Sequence, residues 1–142
     1  MVKPCKDKEL RGKKYRCFFE LTLQVIGGKW KPIILYQLAL AGIMRFGGLR
    51  KSMAGVTERM LTKQLRELEA DGLIHREIYR EVPPRTEYSL TPLGVSLIPI
   101  LTQMREWGVK YEDYLGGGGA FCGEGYESRQ PLDIAPMYRE TP

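Results

Sequence analysis

Arg59, Thr62, Lys63 and Arg66 stand at helical spacing, and their side chains could bind a polyanion. At about 100° per residue, Arg59, Lys63 and Arg66 point one way, with Thr62 on their flank. Leu61, Leu65 and Leu68 share the opposite arc. A helix pinned by leucines and presenting cations and a hydroxyl suits the DNA major groove. That groove is about 12 Å wide, admits an α-helix, and offers guanine edges to arginine and lysine. An ordinary amphipathic helix with a solvated charged face has the same pattern, so its neighbours must decide. Further along, Arg80 and Arg85 flank Pro83-Pro84, where they would meet phosphate or the minor groove.

Other chemistries find little support. The chain has one histidine, His75, at the start of an expected strand, where a structural role outweighs metal ligation. No Ser-His-Asp set, paired-carboxylate pocket or metal cluster appears, so neither an enzyme nor a cofactor or metal site is expected. Gly116 to Gly119 lacks the lysine and helix start of a phosphate loop. The three cysteines, odd in number and widely spaced, make no disulfide framework. Cys17 begins an expected helix directly after Arg16 and near Lys13 and Lys14, a setting that favours thiolate over thiol.

The elements that must carry the cationic face are set by local rules. A short helix over Phe46 to Met53 buries Phe46, Leu49 and Met53. Ala54-Gly55-Val56 turns the chain, with Gly55 free to take a positive φ. Thr57 caps the next helix and Asp71-Gly72 ends it. Beyond Leu73 the pattern alternates, predicting strands over Ile74 to Arg80 and Arg85 to Leu90, joined by a loop that prolines keep out of the ladder. Two helices and then a hairpin make a winged helix-turn-helix.

Four blocks carry a closer likeness: IGGKW at Ile26 to Trp30, RF at Arg45-Phe46, RMLTKQLRELEADGLI at Arg59 to Ile74, and VPPRTEYSLTPLG at Val82 to Gly94. In this order they resemble the HxlR family of bacterial winged-helix transcription regulators, relatives of the MarR group, across roughly Cys17 to Gly108. The resemblance implies a homodimer that binds double-stranded operator DNA and answers a small-molecule or oxidant signal. The expected DNA-binding set is Arg45, Thr57, Arg59, Thr62, Lys63, Arg66, Arg80 and Arg85. Some regulators resembling this family sense oxidants through a cysteine ahead of the IGGKW block, the place Cys17 occupies. Cys122 of the other subunit would then be a candidate resolving partner. The competing reading is a winged-helix module used for protein contacts alone, in which Arg59, Lys63 and Arg66 are dispensable.

At 142 residues the chain is expected to fold as one domain of mixed α+β class, mostly α, with dimerisation helices at both ends of the winged helix-turn-helix. Its net charge of +5 is carried by residues 1–16, which hold seven basic and two acidic side chains. This arm is expected to be flexible, either tracking the DNA backbone or acting as a solubilising lead. No apolar run is long enough to span a membrane and no signal segment opens the chain, which points to the cytoplasm. Cys17 to Ile26 and Lys29 to Leu40 read as helices separated by Gly27-Gly28.

Thr91-Pro92 opens another helix, expected to run unbroken to Leu115, kinked at Pro99 and about 37 Å long. Its seam of Leu97, Ile100, Met104, Trp107 and Tyr111 has heptad spacing and is the expected dimer interface. Residues 116–142 are rich in glycine and proline and are expected to form a flexible tail, in which Phe121, Tyr126 and Met137-Tyr138 could dock locally at places the sequence does not give.

Overall fold

The computed structural model describes residues 7–116 and 133–139. In chain order it contains β1 (Lys8–Leu10), β2 (Lys13–Tyr15), α1 (Phe18–Ile26), α2 (Trp30–Ala41), β3 (Ile43–Arg45) and α3 (Phe46–Ser52). Next come α4 (Glu58–Ala70), β4 (Ile74–Tyr79), β5 (Arg85–Leu90), α5 (Pro92–Val95), α6 (Ile98–Tyr114) and a 3-10 turn at Pro136–Tyr138. The fold is mixed α+β, mostly helical, and built on a winged helix-turn-helix.

One apolar core joins the helices to the sheet. Ile34, Leu35 and Leu38 of α2 meet Leu49 of α3 and the leucine face of α4, all fully buried apart from a trace of Leu65. The sheet is antiparallel with order β3-β5-β4, and Tyr88 and Leu90 of β5 point into the core. Thr91 locks the sheet to α5. Its hydroxyl donates to the Gly72 carbonyl at 2.6 Å and accepts from Gly94 N–H at 3.1 Å, closing the first turn of that helix.

Two expectations change and a third is narrowed. The unbroken helix from Pro92 is instead two, α5 and α6, separated at Ser96-Leu97. Pro99 has no N–H to give Val95, and its ring would press on that carbonyl, so the chain restarts with proline in the first turn of α6. The second helix is therefore about 25 Å long.

The arm expected to be flexible is, from Lys8 to Tyr15, a hairpin with Leu10 opposite Lys13. Arg11 and Gly12 both take positive φ, as a tight two-residue hairpin turn requires. So short a hairpin is marginal alone. Lys13 anchors it to Asp71 at the end of α4 (3.0 Å), and Gln24 of α1 donates to the Lys14 carbonyl at 2.6 Å.

In the tail the docking allowed for at Met137-Tyr138 is made by Tyr138, buried against the domain with Ala135, while Met137 is exposed. Strand β3 has no signal of its own in the sequence. It exists because the free edge of β5 offers it a ladder, pairing Ile43 with Ser89 and Arg45 with Glu87.

Candidate nucleic-acid interface

Local chemistry sets α4 in place. The Thr57 hydroxyl accepts from Met60 N–H at 3.1 Å, the N-cap read from sequence. Leu61, Leu65 and Leu68 then hold the inner face in the core, which fixes the rotation of the helix about its axis. A further device has no counterpart in the sequence reading. Lys31 of α2 is buried except for 8% of its surface, and its ammonium meets a Glu67 carboxylate oxygen at 2.7 Å. The hydrogen bond from Lys31 holds the Glu67 carboxyl below the usual carboxylate range, against the desolvation that raises it. A helix fixed by leucines and tied at one flank by a charge-assisted bond cannot roll freely.

The opposite face presents the cations together. Arg59, Lys63 and Arg66 are exposed, form no ion pair among the described residues, and line one shallow groove with Glu58, Thr62 and Glu67. Thr62 is less available than its spacing suggests, because its hydroxyl donates to the Glu58 carbonyl at 2.8 Å and keeps only acceptor capacity. Thr57 is likewise occupied by its cap.

The wing divides the two arginines expected there. Arg80 is exposed at the end of β4. Arg85 is instead part of the hairpin stem. Its guanidinium lies 3.4 Å from Glu81 and 3.3 Å from Glu87, and stacks 4.1 Å over the Tyr79 ring. Its Nε is buried without a well-angled hydrogen bond, and two carboxylates and an aromatic face surround the rest of the guanidinium, which keeps part of its surface exposed. Arg45, exposed at the junction of β3 and α3, borders a cleft that Arg85 also lines, together with Phe46, Gly47, Glu81, Pro83, Pro84 and Thr86. The structure thus brings Arg45 and the wing together beside the helix-turn-helix.

Residues 25–115 match the model of the HxlR-like helix-turn-helix proteins. The chain belongs to that family. It is 56% identical over 97 residues to the uncharacterised HTH-type transcriptional regulator YdeP of Bacillus subtilis (strain 168), spanning 68% of this chain and 75% of YdeP. Among solved structures it resembles the redox regulator HypR in its reduced form, with a TM-score of 0.65 and 54% identity over 69% of this chain and 96% of HypR. The oxidised form of HypR gives a TM-score of 0.62 at 56% identity, over 65% and 94% of the two chains. This HxlR-like chain therefore shares its fold and blocks with helix-turn-helix regulators of transcription.

The remaining expected residues fall at the two ends of the domain. Cys17 is exposed at the N-cap of α1 with its side chain uninvolved in capping. The neighbouring Arg16 guanidinium is drawn 2.8 Å from Asp7. Cys122 lies outside the described residues.

On α6, Ile100, Met104, Trp107 and Tyr111 are exposed. Leu97, expected in the same seam, is half-buried against this chain's own core because the break before Pro99 turns it inward. Trp107 and Tyr111 stack at 5.2 Å and Tyr111 and Tyr114 at 6.0 Å, a ladder of rings open to solvent. Phe18, Phe19 and Leu23 of α1 are also exposed, Phe19 by 83%. No helix among the described residues is long and apolar enough to cross a membrane, and no cluster of metal-ligating side chains appears among them.

Proposed function

We propose that this HxlR-like regulator binds operator DNA as a homodimer, with α4 in the major groove and the β4–β5 wing beside it. One observation carries the reading: Arg59, Lys63 and Arg66 stand exposed, with no ion pair among the described residues, on a helix whose opposite face is fixed in the core. Cations so placed on a helix that cannot roll are ready to exchange water for phosphate and guanine edges. Arg45 and Arg80 add backbone contacts at the wing, whereas Arg85 shapes the hairpin.

The dimer reading rests on exposed apolar surface. Met104, Trp107 and Tyr111 of α6, with Phe18, Phe19 and Leu23 of α1, expose more large apolar side chains than a lone domain usually leaves in water. A second copy would cover them and set two recognition helices about 34 Å apart, one turn of duplex. The test is fluorescence anisotropy of the purified protein with DNA flanking its own gene and with scrambled DNA, across a salt series. Tight, salt-sensitive binding that favours the flanking DNA supports the reading. Equal, weak binding to both overturns sequence-specific recognition.

A thiol-dependent response through Cys17 is the finer part of the proposal, supported by the exposure of that thiol and by the likeness to HypR, described as a redox regulator. Wild type and Cys17→Ser should differ when titrated with diamide on bound DNA, wild type releasing it first. Equal release by both would leave Cys17 a surface residue without a signalling role.

A further inference from the structure

Segment 133–139 is remote in sequence from the helix-turn-helix yet reaches its interior. Tyr138 is buried, and its hydroxyl accepts from Leu90 N–H at 2.9 Å while donating to the Gly42 carbonyl at 2.5 Å. Gly42 and Leu90 are the pair that would come next in the β3–β5 ladder after Met44–Tyr88 and Ile43–Ser89. A direct rung does not form there, because Gly42 N–H turns back to the Leu38 carbonyl at 2.8 Å to close α2. The phenol fills the gap and serves as the missing rung. Without it a buried donor and a buried acceptor would lose their partner, an arrangement native folds avoid.

Three further features involve the same segment. Ala135 N–H donates to the Ala39 carbonyl at 2.8 Å, satisfying an acceptor in the last turn of α2 that the helix itself leaves open. Gly42 has φ +84°, and a Cβ there would stand 2.7 Å from Met137 Sδ and 3.4 Å from Ala135 Cβ. The Met137 side chain is exposed and could swing aside, so it is chiefly the positive φ that favours glycine on the floor of the slot. Arg139 folds back on the segment, donating to the Ile134 carbonyl at 2.8 Å and pairing with Asp133 at 2.5 Å. Burial pushes the Tyr138 pKa above the usual phenol range while the Leu90 N–H opposes it, and the hydroxyl keeps the proton it donates.

We propose that residues 133–139 form a clasp that seats Tyr138 in a slot between α2 and β5 and holds the wing sheet at a fixed angle to the helix-turn-helix. The route is continuous: β5 forms one arm of the wing, α2 packs on α4, and the clasp bonds both. The occupant belongs to the same chain. The connection from Gly116 to Asp133 can span roughly 55 Å when extended, more than twice the length of α6, so the segment can return to its own domain.

The test uses the full chain with Tyr138→Phe, which keeps the ring and removes only the hydroxyl. Hydrogen exchange at the Leu90 amide should quicken about tenfold or more, with faster exchange along β3. Operator affinity should fall several-fold while the sequence preference set by α4 is kept. Unchanged Leu90 exchange overturns the clasp. Faster exchange with unaltered operator affinity overturns its role in placing the wing. That second half rests on the DNA-binding reading. The exchange measurement needs protein alone, so wild type that fails to bind DNA is distinguishable from a clasp that fails to form.

Discussion

Helices α4 and α6 are both amphipathic, and each leaves one face uncovered, but the two faces differ in what exposure costs. On α4 the leucines are buried and the open face carries Arg59, Lys63 and Arg66, groups that water solvates well. On α6 Leu101 is buried and the open face carries Met104, Trp107 and Tyr111. Leaving apolar area in water costs about 25 cal/mol per Å², whereas an exposed lysine costs nothing. The aromatic face therefore argues for a partner by its composition. The cationic face argues for one through geometry, because a fixed helix beside a wing is more than a solvated surface.

The largest expected effect breaks the comparison on the α6 side. Trp107→Ala should weaken self-association by about 3–5 kcal/mol if the partner buries the whole ring, and sedimentation would show a monomer or a weak dimer. Affinity for a two-half-site operator should fall more than for one half-site. A variant that stays a tight dimer would move the interface to Phe18, Phe19 and Leu23 of α1.

A smaller effect separates two arginines that look alike in sequence. Arg80→Ala should reduce the salt slope of DNA binding by about one unit and weaken all sequences alike. Arg85→Ala should act on the wing itself, since Glu81, Glu87 and Tyr79 lose their shared cation, and should show as faster hydrogen exchange across β4–β5. An altered salt slope in Arg85→Ala with the hairpin intact would return that residue to the DNA contacts.

The smallest effect probes how α4 is held. The Glu67 carboxyl is held low by Lys31, so its contribution is present above the unfolded-state value and is lost as pH falls through the folded one. Melting temperature should therefore drop more steeply below about pH 4 in wild type than in Glu67→Gln. Identical acid profiles would show that the Lys31 bond does not stabilise the helix. Because Glu67 is partly exposed, solvent screening keeps this effect small.

Sequence reveals what is local and misses what is distant. The α4 face and the Thr57 cap depend on residues within a turn or two of one another, and both can be read from spacing alone. The Lys31–Glu67 pair joins two helices through a fold that must exist first, and nothing near Lys31 marks it as buried. Arg85 reads as a free wing cation although Glu81 and Glu87 stand only four and two residues away, because their turning towards it is set by the hairpin that also brings the Tyr79 ring across from β4. Pro99 is legible as a disturbance, but whether proline kinks a helix or divides it depends on whether Leu97 gains more by turning inward.

Strand β3 has no alternating pattern of its own and takes its conformation from β5. The Tyr138 hydroxyl lies furthest from local rules, bonding to a backbone 96 residues away in sequence. Sequence marks Met137-Tyr138 as able to dock, and the place where the phenol bonds is set by the fold.

The central claim is that the outward face of α4 reads DNA. Anisotropy titration of an operator duplex and a scrambled duplex with wild type, Arg59→Ala and Lys63→Ala tests it directly. Each substitution should cost about 1–3 kcal/mol on the operator, with less loss on scrambled DNA and with folding and self-association unchanged. Wild-type affinity and sequence preference in both variants would contradict the account and assign the helix-turn-helix to protein contacts.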